Sequence, residues 1–301
     1  MKKIFSLVLC AVMLVSACLA FASCSGGTAK TKVIDLKLTE EEYAFAVRKG
    51  DSELLSQLND FMDEIRANGK FDEIVDKYFG DGTPTPVTSA AAAKHDGTQL
   101  IVATNAAFEP FEYKVGQNYY GVDMEIMALF AEKLGRELYI DNMAFDAVCL
   151  SVSSAGGTYV DENGETVSVA GGTCDIAAAG LTVNEKRMEI LDFSTTYYDA
   201  SQMVIVKESD TIFDACTTAE EVENVLKSLS ADVKVGVQNG TTGSLYCKGD
   251  EDWGFEGFGF TTVGYATGAL AIQDLINGGC RIVVLDEAPA KAIVAKMNEV
   301  N

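Results

Sequence analysis

Histidine is all but missing from this chain of 301 residues: His95 is the only one, and it stands in a low-complexity stretch. Ser-His-Asp and Cys-His catalysis and most zinc sites are thereby excluded, because each needs an imidazole as base or ligand. No Cys-x-x-Cys occurs, so neither a redox dithiol nor a zinc ribbon is expected; no metal and no cofactor are expected. Beyond the N-terminus no stretch approaches ~18 uninterrupted apolar residues, so nothing further along is expected to span a membrane. Basic side chains are scarce as well, 23 against 45 acidic, for a net charge of −22. Nucleic acid is not expected as a partner, since neutralising phosphates requires a basic face. An acidic surface keeps a protein soluble and off anionic lipid headgroups, but it says nothing about a ligand.

What is present starts with a targeting element. Met1-Lys2-Lys3 is positive, and Ile4 to Val15 is apolar with Ser6 as its one polar interruption. Small residues then lead into Phe21-Ala22-Ser23-Cys24-Ser25-Gly26-Gly27. This resembles a bacterial lipoprotein signal, in which residues 1–23 are removed and Cys24 carries the lipid anchor. Val15-Ser16-Ala17-Cys18 is a rival with a better aliphatic start, but Leu19-Ala20-Phe21 follows Cys18, whereas polar, flexible sequence follows Cys24. A plain secretory signal or an uncleaved anchor is the alternative. After Cys24 stand Cys149, Cys174, Cys216, Cys247 and Cys280, an odd set at scattered spacing and no disulfide framework. Cys149 and Cys174 bracket a polar insertion and either pair or remain buried thiols.

At 48% hydrophobic the chain can fill a large core, more than a single small domain needs. Residues 81–97 form the clearest linker: they hold two of the four prolines, then an alanine run with no amphipathic period. Before it, Leu54, Leu58, Phe61 and Ile65 put one apolar stripe on a helix over Ser52–Ala67, closed by Gly69. Phe71, Ile74, Val75 and Tyr78 continue a shorter helix, and Lys32–Leu36 and Tyr43–Val47 read as strands. After the linker, strands at Leu100–Thr104, Ile176–Ala179, Met203–Val206, Val233–Val237 and Ile282–Leu285 alternate with helices at Val122–Leu134, Thr218–Leu229 and Ala269–Ile276. The alternation predicts α/β architecture with parallel sheets covered on both faces. Ala155–Gly172, rich in Gly, Ser, Thr and acids, reads as an inserted hairpin or loop.

Three segments carry chemistry. In Asp175–Arg187 a strand ends in small residues and Thr182-x-x-Glu185 has the form of a capping box opening a helix. Amide groups at such a start face anions, and Arg187 reaches back to grip a carboxylate with two hydrogen bonds. Val237–Ser244 leads a strand into a glycine-flanked helix start, with no Gly-Lys-Ser/Thr of a P-loop. In Ile282–Pro289, Asp286 stands at the C-terminal end of a buried strand, where ligands of open α/β sheets collect. Each has an ordinary structural reading: a capped helix, a tight turn, an N-cap aspartate. One arginine and two helix starts for a carboxylate, with one aspartate for an amine, together suit an α-amino acid.

From Leu100 to Asn298 the chain resembles the polar amino-acid family of extracellular solute-binding proteins, of the type II periplasmic-binding fold. The residues that carry the resemblance are Ala103–Tyr113, Gly121–Glu125, Gly180–Arg187, Asp192–Tyr198, Val235–Gly243 and Asp286-Glu-Ala-Pro289. It implies two hinged lobes, a free amino acid as ligand, an ABC permease as partner and a lipid-anchored monomer on the outer face of a bacterial membrane. It implies no catalysis. The segment that in the family returns to the first lobe stands first here, Leu38–Gly50 and the helices through Gly80, so the resemblance implies a circular permutation joined by residues 81–97. One lobe would hold 42–80 and 98–206, the other 207–301 and 28–41, with hinge crossings near Val204–Lys207 and Glu41–Ala46. By motif position, Arg187 and the backbone of Thr182 and Thr242 would hold the ligand carboxylate, and Asp286 and the Gly180 carbonyl its amine. Phe108 and Phe145 would sandwich the side chain, with Asn105 and Gln238 at its far end. A neutral residue at Asn105 favours a polar, uncharged ligand such as glutamine. A dehydratase-like enzyme on the same fold, with Glu112 as its one available acid, and an amino-acid-sensing lipoprotein are the alternatives.

Overall fold

The computed structural model describes residues 29–300; the signal sequence with Cys18 and Cys24 lies outside them. Two five-stranded sheets organise the chain. In the first the order is Leu191–Phe193, Ala46–Arg48, Ile176–Ala177, Gln99–Thr104, Glu137–Asn142. In the second it is Thr31–Ile34, Gln202–Lys207, Ile282–Asp286, Lys234–Gln238, Thr261–Tyr265. The inner strands Gln99–Thr104 and Ile282–Asp286 are buried along their whole length, as strands covered by helices on both faces must be.

Both sheets are mixed, not wholly parallel. Ala46–Arg48 runs antiparallel to both its neighbours, and Gln202–Lys207 is antiparallel to Thr31–Ile34 and to Ile282–Asp286. The second pairing moves a boundary. Met203–Val206, expected at the end of the first lobe, is buried between two strands of the second sheet. The expected hinge strand Glu41–Tyr43 pairs antiparallel with Tyr198–Ala200 in a two-stranded ribbon, and the chain passes from one sheet to the other before Gln202.

The N-terminal helices pack on the first sheet's side of the molecule. Ser52–Ala67 starts where Asp51 accepts the Leu54 N–H at 3.2 Å, and it buries Leu54, Leu58, Phe61 and Ile65. Lys70–Phe79 follows after Asn68 and Gly69, with Gly69 in the left-handed region. Val122–Leu134 forms over its expected span, and Thr218 caps Ala219–Lys227 with the full capping box. Thr182 caps nothing. Asn184 accepts the Arg187 N–H and opens a six-residue helix, Glu185–Ile190, in its place, which frees the Thr182 hydroxyl for other work.

The linker is docked, not loose. Val87 exchanges two backbone hydrogen bonds with Tyr119, the Ala90 N–H donates to Leu138, and the Ile140 N–H donates to Ser89 Oγ. The last two bonds cover the outer edge of Glu137–Asn142, an edge strand that would otherwise be open to pairing with another chain. The insertion forms a hairpin of Gly157–Val160 with Thr166–Val169 that joins neither large sheet. Cys149 and Cys174 are both free thiols. Among the described residues no helix is long and apolar enough to cross a membrane.

Candidate functional site

The short helix after Asn184 and the second sheet's Gly240 turn meet at Arg187. Its guanidinium donates from Nη1 to the Thr182 carbonyl at 2.7 Å and from Nη2 to the Gly240 carbonyl at 3.5 Å. It lies 5.6 Å from the ring of Phe145, the first residue of its helix, and 5.2 Å from that of Trp253. Two carbonyls and two aromatic faces surround the cation, and among the described residues no carboxylate pairs with it. It is oriented but not neutralised.

Asp286 ends the central strand of the second sheet and is 4% exposed. The Tyr43 hydroxyl donates to its Oδ2 at 2.5 Å. Burial, with the Glu41 charge nearby, raises its pKa to about 7 against the pull of the Tyr43 hydrogen bond. The Tyr43 hydroxyl is pushed well up in turn, by burial and then by Asp286. A carboxyl with this little solvation takes up a proton unless a cation reaches it.

Tyr43 links the two charges. Its backbone bridges Thr182 across the hinge strand, where the Ala44 N–H donates to Leu181 and the Val183 N–H to Glu42. In an antiparallel ladder that pattern turns the N–H and C=O of Thr182 away from the strand, and its carbonyl indeed meets Arg187. The Thr242 hydroxyl, in the second sheet's first helical turn after Gly240, donates to Thr182 Oγ1 at 3.2 Å.

Phe108 and Gly180 form the wall beside Tyr43. Gly180 has φ +52°, and a Cβ there would stand 2.8 Å from Phe108 Cε1, so any side chain would displace the ring. Its N–H donates to Asp123 Oδ2 at 3.1 Å. Asp123, fully buried, has its pKa raised to about 7 by burial despite that bond and one from the Tyr197 hydroxyl at 2.7 Å. Glu112 is paired with Phe108 in a hairpin and is also fully buried. Neither of its oxygens meets an N–H or O–H donor; it faces the Asp123 carboxyl, and burial and that charge push it well up. A hydrogen bond joins the two acids only while one holds a proton.

The far wall is neutral. Gln238 Nε2 donates across the junction to Asn105 Oδ1 at 3.1 Å, Asn105 Nδ2 donates to the Met143 carbonyl, and Gln238 Oε1 accepts the Gly268 N–H.

Seven of the nine residues singled out in the sequence, Arg187, Phe145, Thr182, Thr242, Asp286, Phe108 and Gly180, are linked by these contacts through Tyr43 and Thr182, while Asn105 and Gln238 pair with each other. Sequence reasoning missed Tyr43, Glu41, Asp123 and Trp253. Tyr43 and Glu41 lie far from the rest in sequence, and Trp253, the one tryptophan, carried no motif. A cavity of about 960 Å³ opens along the hinge flank and meets this network at Thr182 and Thr242, with Glu41, Tyr246 and Trp253 also on its wall.

The profile of the bacterial extracellular solute-binding proteins, family 3, matches residues 8–81, 100–156 and 158–280. The chain is 28% identical over 125 residues to an arginine-binding extracellular protein of Bacillus subtilis, covering 42% of each chain. It is 26% identical over 204 residues to a protein of Neisseria gonorrhoeae described as a probable histidine-binding protein, covering 66% of this chain and 63% of that one. It therefore spans less than two thirds of the length of these relatives. Among solved structures, an ancestral arginine-binding protein bound to glutamine aligns with TM-score 0.51 at 28% identity, over 67% of this chain and 75% of that one. An ancestral arginine-binding protein bound to arginine aligns with TM-score 0.51 at 28% identity, over 67% of this chain and 76% of that one.

Proposed function

The chain belongs to the bacterial extracellular solute-binding proteins of family 3, and we propose that it captures a free amino acid between its two lobes and hands it to an ABC permease. One observation carries this reading. At a single junction stand a cation held only by carbonyls and rings, Arg187, and a buried carboxyl held by a hydroxyl, Asp286. A zwitterion satisfies both at once, its carboxylate at Arg187 and the Thr182 and Thr242 amides, its ammonium at Asp286 and the Gly180 carbonyl. Charge-assisted bonds of this kind are about twice as strong as neutral ones.

Phe108 and Phe145 flank the ligand side chain in this reading, and Asn105 and Gln238 meet its end. Because that end is a pair of amides, an uncharged polar amino acid such as glutamine is the first choice. A basic amino acid is the second, on the strength of the relatives named for arginine and histidine. Anchoring through a lipid on Cys24 would hold the protein at the outer membrane surface beside its permease.

The test is calorimetry after a thermal-shift screen of the twenty amino acids, since a ligand that binds only the folded state raises the melting temperature. Arg187→Ala is expected to abolish binding while the chain still melts cooperatively. An unaltered affinity would discard the assignment.

A further inference from the structure

Glu41 is 9% exposed in the hinge strand Glu41–Tyr43. Its Oε1 accepts from Thr39 Oγ1 at 2.6 Å and from Gln202 Nε2 at 3.0 Å, and its Oε2 accepts from Thr182 Oγ1 at 2.8 Å. The three donors come from three places: the hinge itself, the first residue of a central strand of the second sheet, and the loop that leads to Arg187. We propose that Glu41 is a positioning residue that fixes the two threonines of the carboxylate subsite to the hinge in the closed form; this rests on the amino-acid-binding reading above.

The proton count sets the direction. A threonine hydroxyl has one proton, and Thr182 gives its own to Glu41. Its oxygen is then left as an acceptor, and Thr242 fills it from the other lobe. The chain runs Thr242 to Thr182 to Glu41, crossing the lobe junction once and ending on the hinge. Glu41 thereby makes the threonine contact directional: without an acceptor on its far side, Thr182 can turn its own proton toward Thr242 and the preference is lost. The other branch reaches toward the amine end, since Gln202, whose amide donates to Glu41, stands opposite Asp286 in the sheet. One hinge carboxylate therefore orders side chains beside both charged ends of the ligand.

An ordinary buried glutamate would serve the fold alone and leave the rate of ligand escape untouched. Trp253 supplies the readout, since it is the sole tryptophan and its ring crosses the junction to Arg187. Stopped-flow fluorescence would follow the amino acid that most raises the melting temperature of the unaltered chain in a screen of the twenty. Glu41→Ala is expected to release it about tenfold faster with little change in association, the scale of one hydrogen bond to a charged acceptor. Glu41→Gln should fall between, because its amide oxygen keeps one acceptor. Thr182→Val should match Glu41→Ala, and the double variant should be no faster than either single one. Unchanged release in Glu41→Ala, or single effects that simply multiply, would overturn the proposal while leaving amino-acid binding in place. If Glu41→Ala does not melt cooperatively, Glu41→Gln and Thr182→Val and their double variant decide by the same criterion. No shift with any amino acid in the unaltered chain would instead overturn the reading of function, and this proposal with it.

Discussion

Asp286 loses most of its water on folding and gains a tyrosine hydroxyl but no resident cation. Its carboxyl, raised from 3.8 to about 7, binds a proton in the folded chain over a range where the unfolded chain has released it. Stability contributed by such a group is present on the acid side and is lost as pH climbs from about 4 to about 7. Asp123, raised for the same reason, adds to the effect with the same sign. The ligand-free protein is therefore expected to melt at a higher temperature at pH 5 than at pH 8. Asp286→Asn should raise the pH 8 melting temperature, because it removes a charge from a dry site and keeps an acceptor for Tyr43. The same change should weaken amino-acid binding by about 100-fold, the scale of losing one partner of a buried charge pair. Scanning calorimetry and titration calorimetry on one variant read the two halves. Affinity in the unaltered protein should fall below pH 7, where the ammonium meets a carboxyl that already holds a proton.

Among elements, those whose own residues suffice were legible and those decided by a neighbour were not. Ser52–Ala67 formed over its expected span, because a long apolar stripe fixes both the helix and the face it buries; Val122–Leu134 also formed over its span, but its first two turns are buried all round, with Asp123 and Glu125 among them. Thr182-x-x-Glu185 has the form of a capping box, yet Asn184 takes the cap and the Thr182 hydroxyl goes to Glu41, 141 residues away. No local pattern announces that exchange. The hairpin of Gly157–Val160 and Thr166–Val169 is the opposite case, since its strands bond only to each other. Replacing residues 157–169 by a short turn is expected to shift the thermal midpoint by no more than a few degrees, a loss of about 1 kcal/mol in a protein of this size. A collapse of the cooperative melt would show that the hairpin braces the first sheet.

At the scale of the whole molecule the two ends of the described chain lie side by side. The Thr31 N–H donates to Asn298 Oδ1 at 3.0 Å, and Asn298 Nδ2 donates to the Thr31 carbonyl at 2.8 Å. Adjacent surface ends are what a circularly permuted chain requires. We propose that the chain is such a permutation of its family's order, with residues 81–97 joining the former ends. A chain opened within 81–97 and closed by a short bridge between Asn298 and Thr31 is expected to fold and to bind the same amino acid with affinity within a few-fold. Such a chain failing to melt cooperatively, with the original order intact, would count against the permutation.

Composition and pattern by themselves determined the class of the protein. Alternating apolar runs set an α/β architecture, and motifs in family order pointed to the extracellular solute-binding proteins, whose profile the chain matches. These are properties of residue type and near spacing, which a sequence states outright. Tertiary structure alone decided where the hinge crosses, because Gln202–Lys207 joins whichever sheet offers partners on both sides. It alone decided that Tyr43 and Glu41 stand between the two charges, because a hydrogen bond depends on distance in space and those residues lie more than 100 positions from the groups they hold.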